Sequence, residues 1–231
     1  MFIHTVRSRI ANIHLLESGS GVVIVDAGFG NAAPLVLRTL DQLGYSPRDV
    51  RLIFLTHAHI DHVGSAAELR RLTGAPISLH RADVAKARAG KHNMPTGRGA
   101  SGKILEHAFN GLRLKFRYEA FEPDVLFDDG QTLCEFGLDA RVVHTPGHTL
   151  GSLSLVLEHG AMVIGDAVIN QIRVGMPLYG EAPALAYDSA RKILGMRPRI
   201  LYSGHGEAFA GDALARYFEL KGLTTTVSGA N

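Results

Sequence analysis

Residues 51–62 read Arg-Leu-Ile-Phe-Leu-Thr-His-Ala-His-Ile-Asp-His, an apolar run followed at once by four potential metal ligands. The apolar run predicts a buried β-strand. His57 and His59 come directly after it, and two residues apart in an extended chain they point to the same side. Asp61 and His62 lie at the entry to a predicted helix, where the chain turns. We therefore predict that this strand end presents all four side chains to metal ions.

Three later segments repeat the arrangement in which a potential ligand follows an apolar strand. They end in Thr-Pro-Gly-His at His148, Gly-Asp at Asp166 and Ser-Gly-His-Gly at His205. Glycine lets the backbone bend at such points, and α/β proteins place their sites where strand ends gather at one edge of a sheet. Five histidines and two aspartates would then meet. Imidazole suits zinc, iron or manganese and a carboxylate can bridge two ions, so the set predicts a two-metal site.

The composition indicates a soluble globular protein whose unusual feature is twelve histidines. The 231 residues are 46% hydrophobic and 20% charged with a formal net charge of +2, so we expect neither disorder nor a nucleic-acid partner. The single Cys134 excludes an internal disulfide, a cysteine-based zinc finger and an iron–sulfur cluster. No apolar run approaches the roughly 20 residues that span a bilayer, and polar residues interrupt the N-terminal run. We expect a cytoplasmic protein without a signal peptide or membrane partner. The sequence does not predict its oligomeric state.

Short apolar runs alternate with helical patterns along the chain. Residues 10–17 and 22–26 flank a Ser-Gly-Ser-Gly turn and predict a β-hairpin. Further predicted strands are residues 51–56, 77–80, 125–127, 131–136, 138–144, 152–158, 161–164 and 199–203. Predicted helices are residues 34–43, 64–73, 82–89, 181–196 and 212–221. Two halves, each of strands followed by helices, predict an α+β sandwich of two sheets with helices on the outside.

Residues 91–122 form the least regular stretch, which we expect to be a lid or a substrate-shaping segment. Its first part is rich in glycine and other small residues, and residues 112–117 alternate apolar and basic side chains. Residues 91–117 contain six Lys or Arg and one Glu, a net +5. We expect Arg98 and Lys103 to bind an anionic part of a small-molecule substrate. The alternative is that these charges belong to a solvated surface.

The ordered motifs resemble those of the metallo-β-lactamase superfamily of αββα metallohydrolases. The segments that carry the resemblance are Asp-Ala-Gly at residues 26–28, His-x-His-x-Asp-His at 57–62, Thr-Pro-Gly-His-Thr at 145–149, Gly-Asp at 165–166 and Gly-His-Gly at 204–206. The resemblance covers most of the chain. It implies one domain over residues 1–231, with a four-layer αββα sandwich of two mixed β-sheets and helices on the outside. It also implies the dinuclear, hydroxyacylglutathione-hydrolase-like branch.

The resemblance assigns a role to each candidate ligand by its position in the motifs. The first metal ion is expected to bind His57, His59 and His148, the second to bind Asp61, His62 and His205, and Asp166 to bridge both. Asp26 is expected to brace the loops beneath the site, and Asp61 to orient the attacking hydroxide as the catalytic residue. Two divalent ions are implied, with zinc as the default and iron or manganese as substitutes.

The implied activity is hydrolysis of a carboxylic ester, thioester or lactone by a metal-bridging hydroxide. The true lactamases of this fold have Cys or Ser where this chain has Asp166, so it resembles a hydrolase other than a true lactamase. The chain ends without the basic cluster of the glutathione-specific branch. Ile169 stands where the acyl-homoserine lactonases have Tyr. Neither glutathione thioesters nor acyl-homoserine lactones are therefore expected as substrates. Tyr179 is a candidate hydrogen-bond donor to the oxyanion that develops during hydrolysis.

Two other activities remain open from the sequence. A metal-dependent phosphodiesterase or nuclease would use the same set of ligands. A mononuclear-iron sulfur dioxygenase would need only His57, His59 or His148 with Asp166, and would leave His62 and His205 unused. The number of metal ions per chain separates the second alternative from the dinuclear hydrolase.

Overall fold

Short strands and helices make up the regular structure of the part of the chain that the computed structural model describes, residues 1–9, 11–92, 97, 99–111 and 116–223. In chain order the strands are β1 (Ile3–Ser8), β2 (Ala11–Ser18), β3 (Gly21–Val25), β4 (Val50–Phe54), β5 (Ile77–Leu79), β6 (Lys91–His92), β7 (Phe116–Arg117), β8 (Val125–Leu126), β9 (Arg141–His144), β10 (Leu153–Val156), β11 (Ala161–Gly165), β12 (Ile200–Ser203) and β13 (Phe209–Ala210). The helices are α1 (Ala33–Gln42), α2 (Ile60–Val63), α3 (Ala66–Thr73), α4 (Val84–Ala89), α5 (Gly99–Gly111), α6 (Pro183–Gly195) and α7 (Gly211–Leu220). None of these described helices has the length and apolar character needed to cross a bilayer.

The strands form two mixed sheets and one small two-stranded ribbon. The first sheet has the order β1-β2-β3-β4-β5-β8, antiparallel from β1 to β3 and parallel from β3 to β8. The second has the order β13-β12-β11-β10-β9, in which β11 and β12 are parallel and the other neighbours antiparallel. β6 and β7 pair with each other outside both sheets. The predicted pair of mixed sheets is confirmed.

Alternate side chains along the central strands face two different cores, as the two-residue period of a strand requires. On β3, Ile24 packs with α1 and α3 on the outer face of the first sheet, while Val23 faces the second sheet. On β11, Val163 faces the first sheet and Ile164 packs with α6 and α7. Each fully buried side chain of this size contributes about 1.5–3 kcal/mol. The layers therefore follow the order helix, sheet, sheet, helix, and the predicted αββα sandwich is confirmed.

The loops with the candidate ligands leave both sheets at one edge. β9, β11 and β12 run in the same direction within the second sheet, so their carboxyl ends meet there. The loop after β4 in the first sheet reaches this edge too, because Leu153 N on β10 donates a 2.8 Å hydrogen bond to Thr56 O. The fold thereby gathers strand ends from both sheets at one place.

Two polar side chains on β2 attach the first sheet to the loop after β12. Asn12 donates from its backbone N to Gly204 O (2.7 Å), and from its amide Nδ2 to Ser203 O (3.0 Å) and Gly206 O (2.7 Å). His14 Nε2 donates to Ser203 O at 3.2 Å. Both side chains are buried, so these hydrogen bonds are not exposed to competition from solvent. They fix the loop of the second sheet against a strand of the first.

The predicted elements are largely confirmed, with differences at their ends. The hairpin at residues 10–26 is present as β2 and β3, whereas β1 was not predicted. The predicted strand over residues 131–136 is wrong: Thr132 forms only an isolated bridge with Arg141, and Cys134–Phe136 forms a 3-10 helix. Leu133 N donates to Ala140 O (3.0 Å) and Gly137 has φ +76°, so the chain turns back before a longer strand can form.

The expected irregularity of residues 91–122 is wrong for residues 99–111, which form α5. A Cβ on Gly102 would lie 2.6 Å from Leu178 O, and Gly97 forms a β-bridge with Tyr179. Close packing against the loop before α6 therefore outweighs the low helix propensity of glycine. Within the alternating segment, residues 112–115 lie outside the described residues. The role as a lid stays a prediction.

We expect His14 to make the protein less stable at mildly acidic pH. Burial lowers its pKa from 6.5 to about 4, although the Asp26 carboxylate opposes this. Between these values the unfolded chain binds a proton at His14 and the folded chain does not, so stability falls as pH falls through this window. The shift corresponds to about 3 kcal/mol. In urea unfolding between about pH 7 and pH 5, His14→Gln should lose this part of the pH dependence.

The matched control is His159→Gln, because the His159 side chain is 84% exposed. The pH dependence of its unfolding free energy should follow that of the parent protein. A pH dependence of His14→Gln indistinguishable from that of the parent protein would show that His14 is not held neutral by burial.

Candidate metal centre

The loop that follows β4 and the short helix α2 together bury three histidines. His57 and His62 are fully buried, and His59 is 6% exposed. His59 occupies the N-cap position of α2 with extended backbone (φ −89°, ψ 149°), and Asp61 lies in the first turn of that helix. The chain thus changes from extended to helical inside the motif, as predicted. Because of this change in direction, the four side chains of the motif point toward different groups of neighbouring side chains.

One group of potential ligands combines the first two histidines of the motif with the loop after β9. Ligand atoms of His57, His59 and His148 all lie within 4.8 Å of one another. The ring centroids are 4.5–4.7 Å apart, and the rings meet edge to face. Three buried imidazoles that converge in this way form a set suited to a transition metal ion. The structure therefore brings together the three residues expected at the first metal position.

A second group joins the helical part of the motif to the loop after β12. Ligand atoms of Asp61, His62 and His205 lie within 4.8 Å of one another, and a further group contains His57, His62 and Asp166. Asp166 Oδ2 lies 3.3 Å from His148 Nε2 and 3.1 Å from His205 Nε2, and its Oδ1 lies 3.6 Å from His62 Nε2. Asp166 therefore lies between the two groups, where a bridging ligand is expected.

Glycine at position 204 is required by this packing. A Cβ there would lie 2.3 Å from Asp166 Oδ1 and 2.6 Å from His62 Cε1. Any larger residue would have to displace one of these side chains. The Gly-His-Gly motif therefore places the His205 loop directly against the neighbouring potential ligands.

Several buried polar atoms at the centre form no hydrogen bond with any residue that the structure describes. They are His57 Nε2, His62 Nε2, His148 Nε2 and Asp166 Oδ1. A buried polar atom without a partner costs about 1–3 kcal/mol, so four at one place are unfavourable for the protein alone. Their nitrogen and oxygen atoms are the donor types that zinc, iron and manganese bind. The residues present therefore fit a metal centre.

The electrostatics of the centre also suit cations. Burial, followed by the charges of the neighbouring histidines, lowers the pKa of His57 well below its usual value, which leaves the neutral imidazole that coordinates a metal. Burial raises the pKa of Asp166, but His205 and other histidines outweigh it and lower the pKa to about 2. Burial lowers the pKa of His205, and Asp166 and Asp61 raise it to about 11. The carboxylates thus stay ionised and hold positive charge beside them.

Asp26 lies beneath the centre, where its carboxylate contacts Thr56 and His62. Its backbone is in the left-handed region (φ +64°) and the residue is 1% exposed. The carboxylate accepts hydrogen bonds from Thr56 N (2.8 Å), Thr56 Oγ1 (2.9 Å) and His62 Nδ1 (2.7 Å). Since Nδ1 of His62 is bound to Asp26, Nε2 is the nitrogen that faces the other candidate ligands. This contact fixes both the tautomer and the orientation of the ring.

The structure describes only some of the residues expected to bind substrate. The backbone carbonyl of Tyr179 accepts a 3.2 Å hydrogen bond from His148 Nδ1, which puts this loop next to the first group. Burial raises the pKa of the Tyr179 hydroxyl. Lys103 is exposed on α5, and Arg98 lies outside the described residues. The contacts of these side chains with a substrate stay predictions.

Sequence reasoning missed three buried residues that support the ligand loops. Asn12 and His14 hold the loop of His205, and the fully buried Asp83 contacts the loops of His57 and His148. Asn12 and His14 are polar residues two positions apart in an apolar strand, and this pattern is the signal that could have identified them. Asp83 lies in an ordinary helix-start pattern, and nothing in the sequence distinguishes it.

Comparison with known proteins agrees with this geometry. A family model described as the metallo-beta-lactamase superfamily matches residues 6–205. The chain is 27% identical over 228 residues to the probable metallo-hydrolase YflN of Bacillus subtilis, covering 90% of this chain and 85% of that protein. Three other curated relatives are longer, and the chain spans 58% to 65% of their length.

Solved structures share the fold over nearly the whole chain. TTHA1623, described as a di-iron-bound form, has a TM-score of 0.70 at 26% identity and covers 94% of this chain and 98% of its own. BLEG-1, described as a B3 metallo-beta-lactamase, has a TM-score of 0.73 at 25% identity and covers 97% of this chain and 100% of its own. The region matched by the family model contains all seven candidate ligands, which the structure gathers at the edge of the αββα sandwich. The chain therefore belongs to the metallo-β-lactamase superfamily.

Proposed function

We propose that this chain is a dinuclear metal-dependent hydrolase that cleaves a carboxylic ester, a thioester or a lactone. The observation that carries the proposal is Asp166, whose carboxylate lies within 3.6 Å of histidines from both potential ligand groups. The names of two similar proteins support it: YflN is a probable metallo-hydrolase, and TTHA1623 is described with two irons. The second group of ligands favours this activity over a mononuclear dioxygenase, which would leave His62 and His205 unused.

The proposed ligands follow the two groups and their shared aspartate. His57, His59 and His148 would hold one ion, Asp61, His62 and His205 the other, and Asp166 both. When bound, the ions would polarise a substrate carbonyl and lower the pKa of water toward 7, so that no Ser or Cys nucleophile is needed. Zinc is the proposed ion, and iron or manganese suits the same nitrogen and oxygen donors.

Asp61 is the proposed catalytic residue among the seven ligands. Its side chain is 17% exposed, whereas those of His62 and Asp166 are 0% and 5% exposed. Its Oδ2 lies 3.3 Å from His205 Nε2, which helps to keep the carboxylate ionised and so able to accept a hydrogen bond. We propose that this carboxylate accepts a hydrogen bond from the attacking water and orients it toward the substrate.

We expect protein produced with zinc, iron or manganese supplied to contain about two metal ions per chain. His148→Ala removes one imidazole of the first group, and its content should fall to about one ion because the second group stays intact. Elemental analysis of the purified proteins measures both values. His159→Ala, at an exposed position, is the control and should keep the metal content of the parent protein. A parent protein that takes up no metal would rule out the dinuclear centre.

Asp61→Asn should lower kcat by about 10²–10⁴-fold, because the neutral amide keeps the shape but is a much weaker hydrogen-bond acceptor and metal ligand than the carboxylate. The measurement is steady-state hydrolysis of a panel with an ester, a thioester, a lactone, a phosphodiester and a β-lactam. KM should change less than kcat. Turnover of the β-lactam above that of every ester would contradict the proposed substrate class and favour the activity that names BLEG-1.

Lys103→Glu should raise KM about 2–10-fold for an ester with a carboxylate group and leave a neutral ester unaffected. Lys103 is exposed and follows Gly102, which packs on the Leu178 carbonyl in the loop that contacts His148, and we propose that its charge acts on a substrate bound beside this loop. Lys221→Glu makes the same charge change at an exposed position after α7 and is the control. An equal change in KM for the two esters would indicate that Lys103 belongs to a solvated surface.

A further inference from the structure

A fully buried aspartate that is not among the candidate ligands lies beside the first group of histidines. Asp83 is 0% exposed and ends the 3-10 helix Arg81–Asp83, directly before α4. Its Oδ2 accepts hydrogen bonds from Ala58 N (3.0 Å) and Thr149 Oγ1 (2.7 Å), and its Oδ1 accepts one from Lys86 Nζ (2.5 Å). Both oxygens are therefore used, and the buried charge is paired with a cation.

The two partners of Oδ2 are immediate neighbours of the candidate ligands. Ala58 lies between His57 and His59 in the chain, and Thr149 follows His148. One carboxylate oxygen thus bonds to both loops that supply the first group, which are separated by more than 80 residues in sequence. The loops are fixed at this point at a separation set by two short hydrogen bonds.

The packing around the carboxylate leaves no room for it to move. A Cβ on Gly151 would lie 2.6 Å from Asp83 Cγ, so the loop after His148 rests directly on this side chain. A Glu at position 83 would be overpacked. An Asn would keep the size but turn an NH₂ group toward an N–H or an ammonium group, because all three partners of Asp83 are donors.

Lys86 extends the contact to the third loop around the first group. Its Nζ also lies 2.7 Å from Glu181 Oε1, and Glu181 accepts a 2.8 Å hydrogen bond from Leu150 N through Oε2. Glu181 N donates to His148 O at 3.1 Å. The chain of contacts from Asp83 through Lys86 to Glu181 therefore holds the backbone at His148 and directly after it.

We propose that Asp83 is a positioning residue of the first metal position, whose carboxylate sets the separation between the His57–His59 loop and the His148 loop. The inference rests on the proposed dinuclear function. The second position is held by other contacts: Asp26 binds the ring of His62, and Asn12 binds the loop of His205. Loss of the Asp83 carboxylate should therefore weaken one metal position and spare the other.

The test is titration of the metal-free full chain with Co²⁺ and Zn²⁺ in competition with a chromophoric chelator. The parent protein should show two binding steps. Asp83→Asn should weaken one step by about 10–100-fold, as expected for a residue that orients metal ligands, and leave the other unchanged. The absorption spectrum of the Co²⁺ that remains tightly bound should match that of His148→Ala and differ from that of His205→Ala, which identifies the weakened position.

Matched variants separate positioning from a general loss of stability. Leu40→Ala removes a fully buried side chain of α1 and lowers stability by about 2–5 kcal/mol, and it should keep both binding steps. Asn12→Ala should weaken the other step, since it releases the loop of His205. Thr149→Val removes one of the two hydrogen bonds to Oδ2 and should weaken the same step as Asp83→Asn, to a smaller extent. If Asp83→Asn does not fold, the Thr149→Val variant alone tests the positioning role of Asp83.

Equal weakening of both steps in Asp83→Asn, or two unchanged steps in a folded Asp83→Asn or Thr149→Val, would overturn the positioning role. A parent protein without two binding steps would instead overturn the proposed dinuclear function. The two failures therefore give different results in the same titration.

Discussion

The hydrogen bonds of the buried Asp26 carboxylate are the interaction on which the rest of the centre depends. A left-handed backbone at a residue other than glycine costs about 1–3 kcal/mol, and burial of an unpaired charge costs more. Three hydrogen bonds from Thr56 and His62 offset these costs. Thr56 also accepts from Leu153 on the opposite sheet, so the same short segment joins the two halves of the sandwich. The turn after β3 thus fixes the loop after β4 and the ring of His62 together.

The two sheets supply different numbers of candidate ligands, and neither sheet supplies the full set. The first supplies four potential ligands from one continuous segment, the loop after β4 and helix α2, and the second supplies His148, Asp166 and His205 from three separate strand ends. Because the buried donors face one another across the gap between the sheets, a cation bound there would attract both halves. Metal binding and the packing of the two sheets are therefore expected to stabilise each other.

The layers and the convergence of the candidate ligands could be predicted because they depend on local patterns. An apolar run before a His-rich turn places the motif at a strand end, and alternation on β3 and β11 sorts side chains into inner and outer cores. The helix α5 and the supporting residues could not be predicted in this way. α5 depends on the close approach of Gly102 to Leu178, and Asp83 depends on partners 25 and 66 residues away. Such contacts exist only after the chain has folded and leave no periodic signal.

The bonds from Asn12 to the loop after β12 also constrain the order of events during folding. They join residues 191 and 194 positions apart, so the entropy of closing nearly the whole chain must be overcome before they form. During synthesis the four potential ligands of residues 57–62 emerge first, and His148, Asp166 and His205 follow later in the chain. The centre can therefore be completed only after the loop after β12 has been synthesised, and a chain truncated before residue 203 would lack both the partners of Asn12 and the candidate ligand His205.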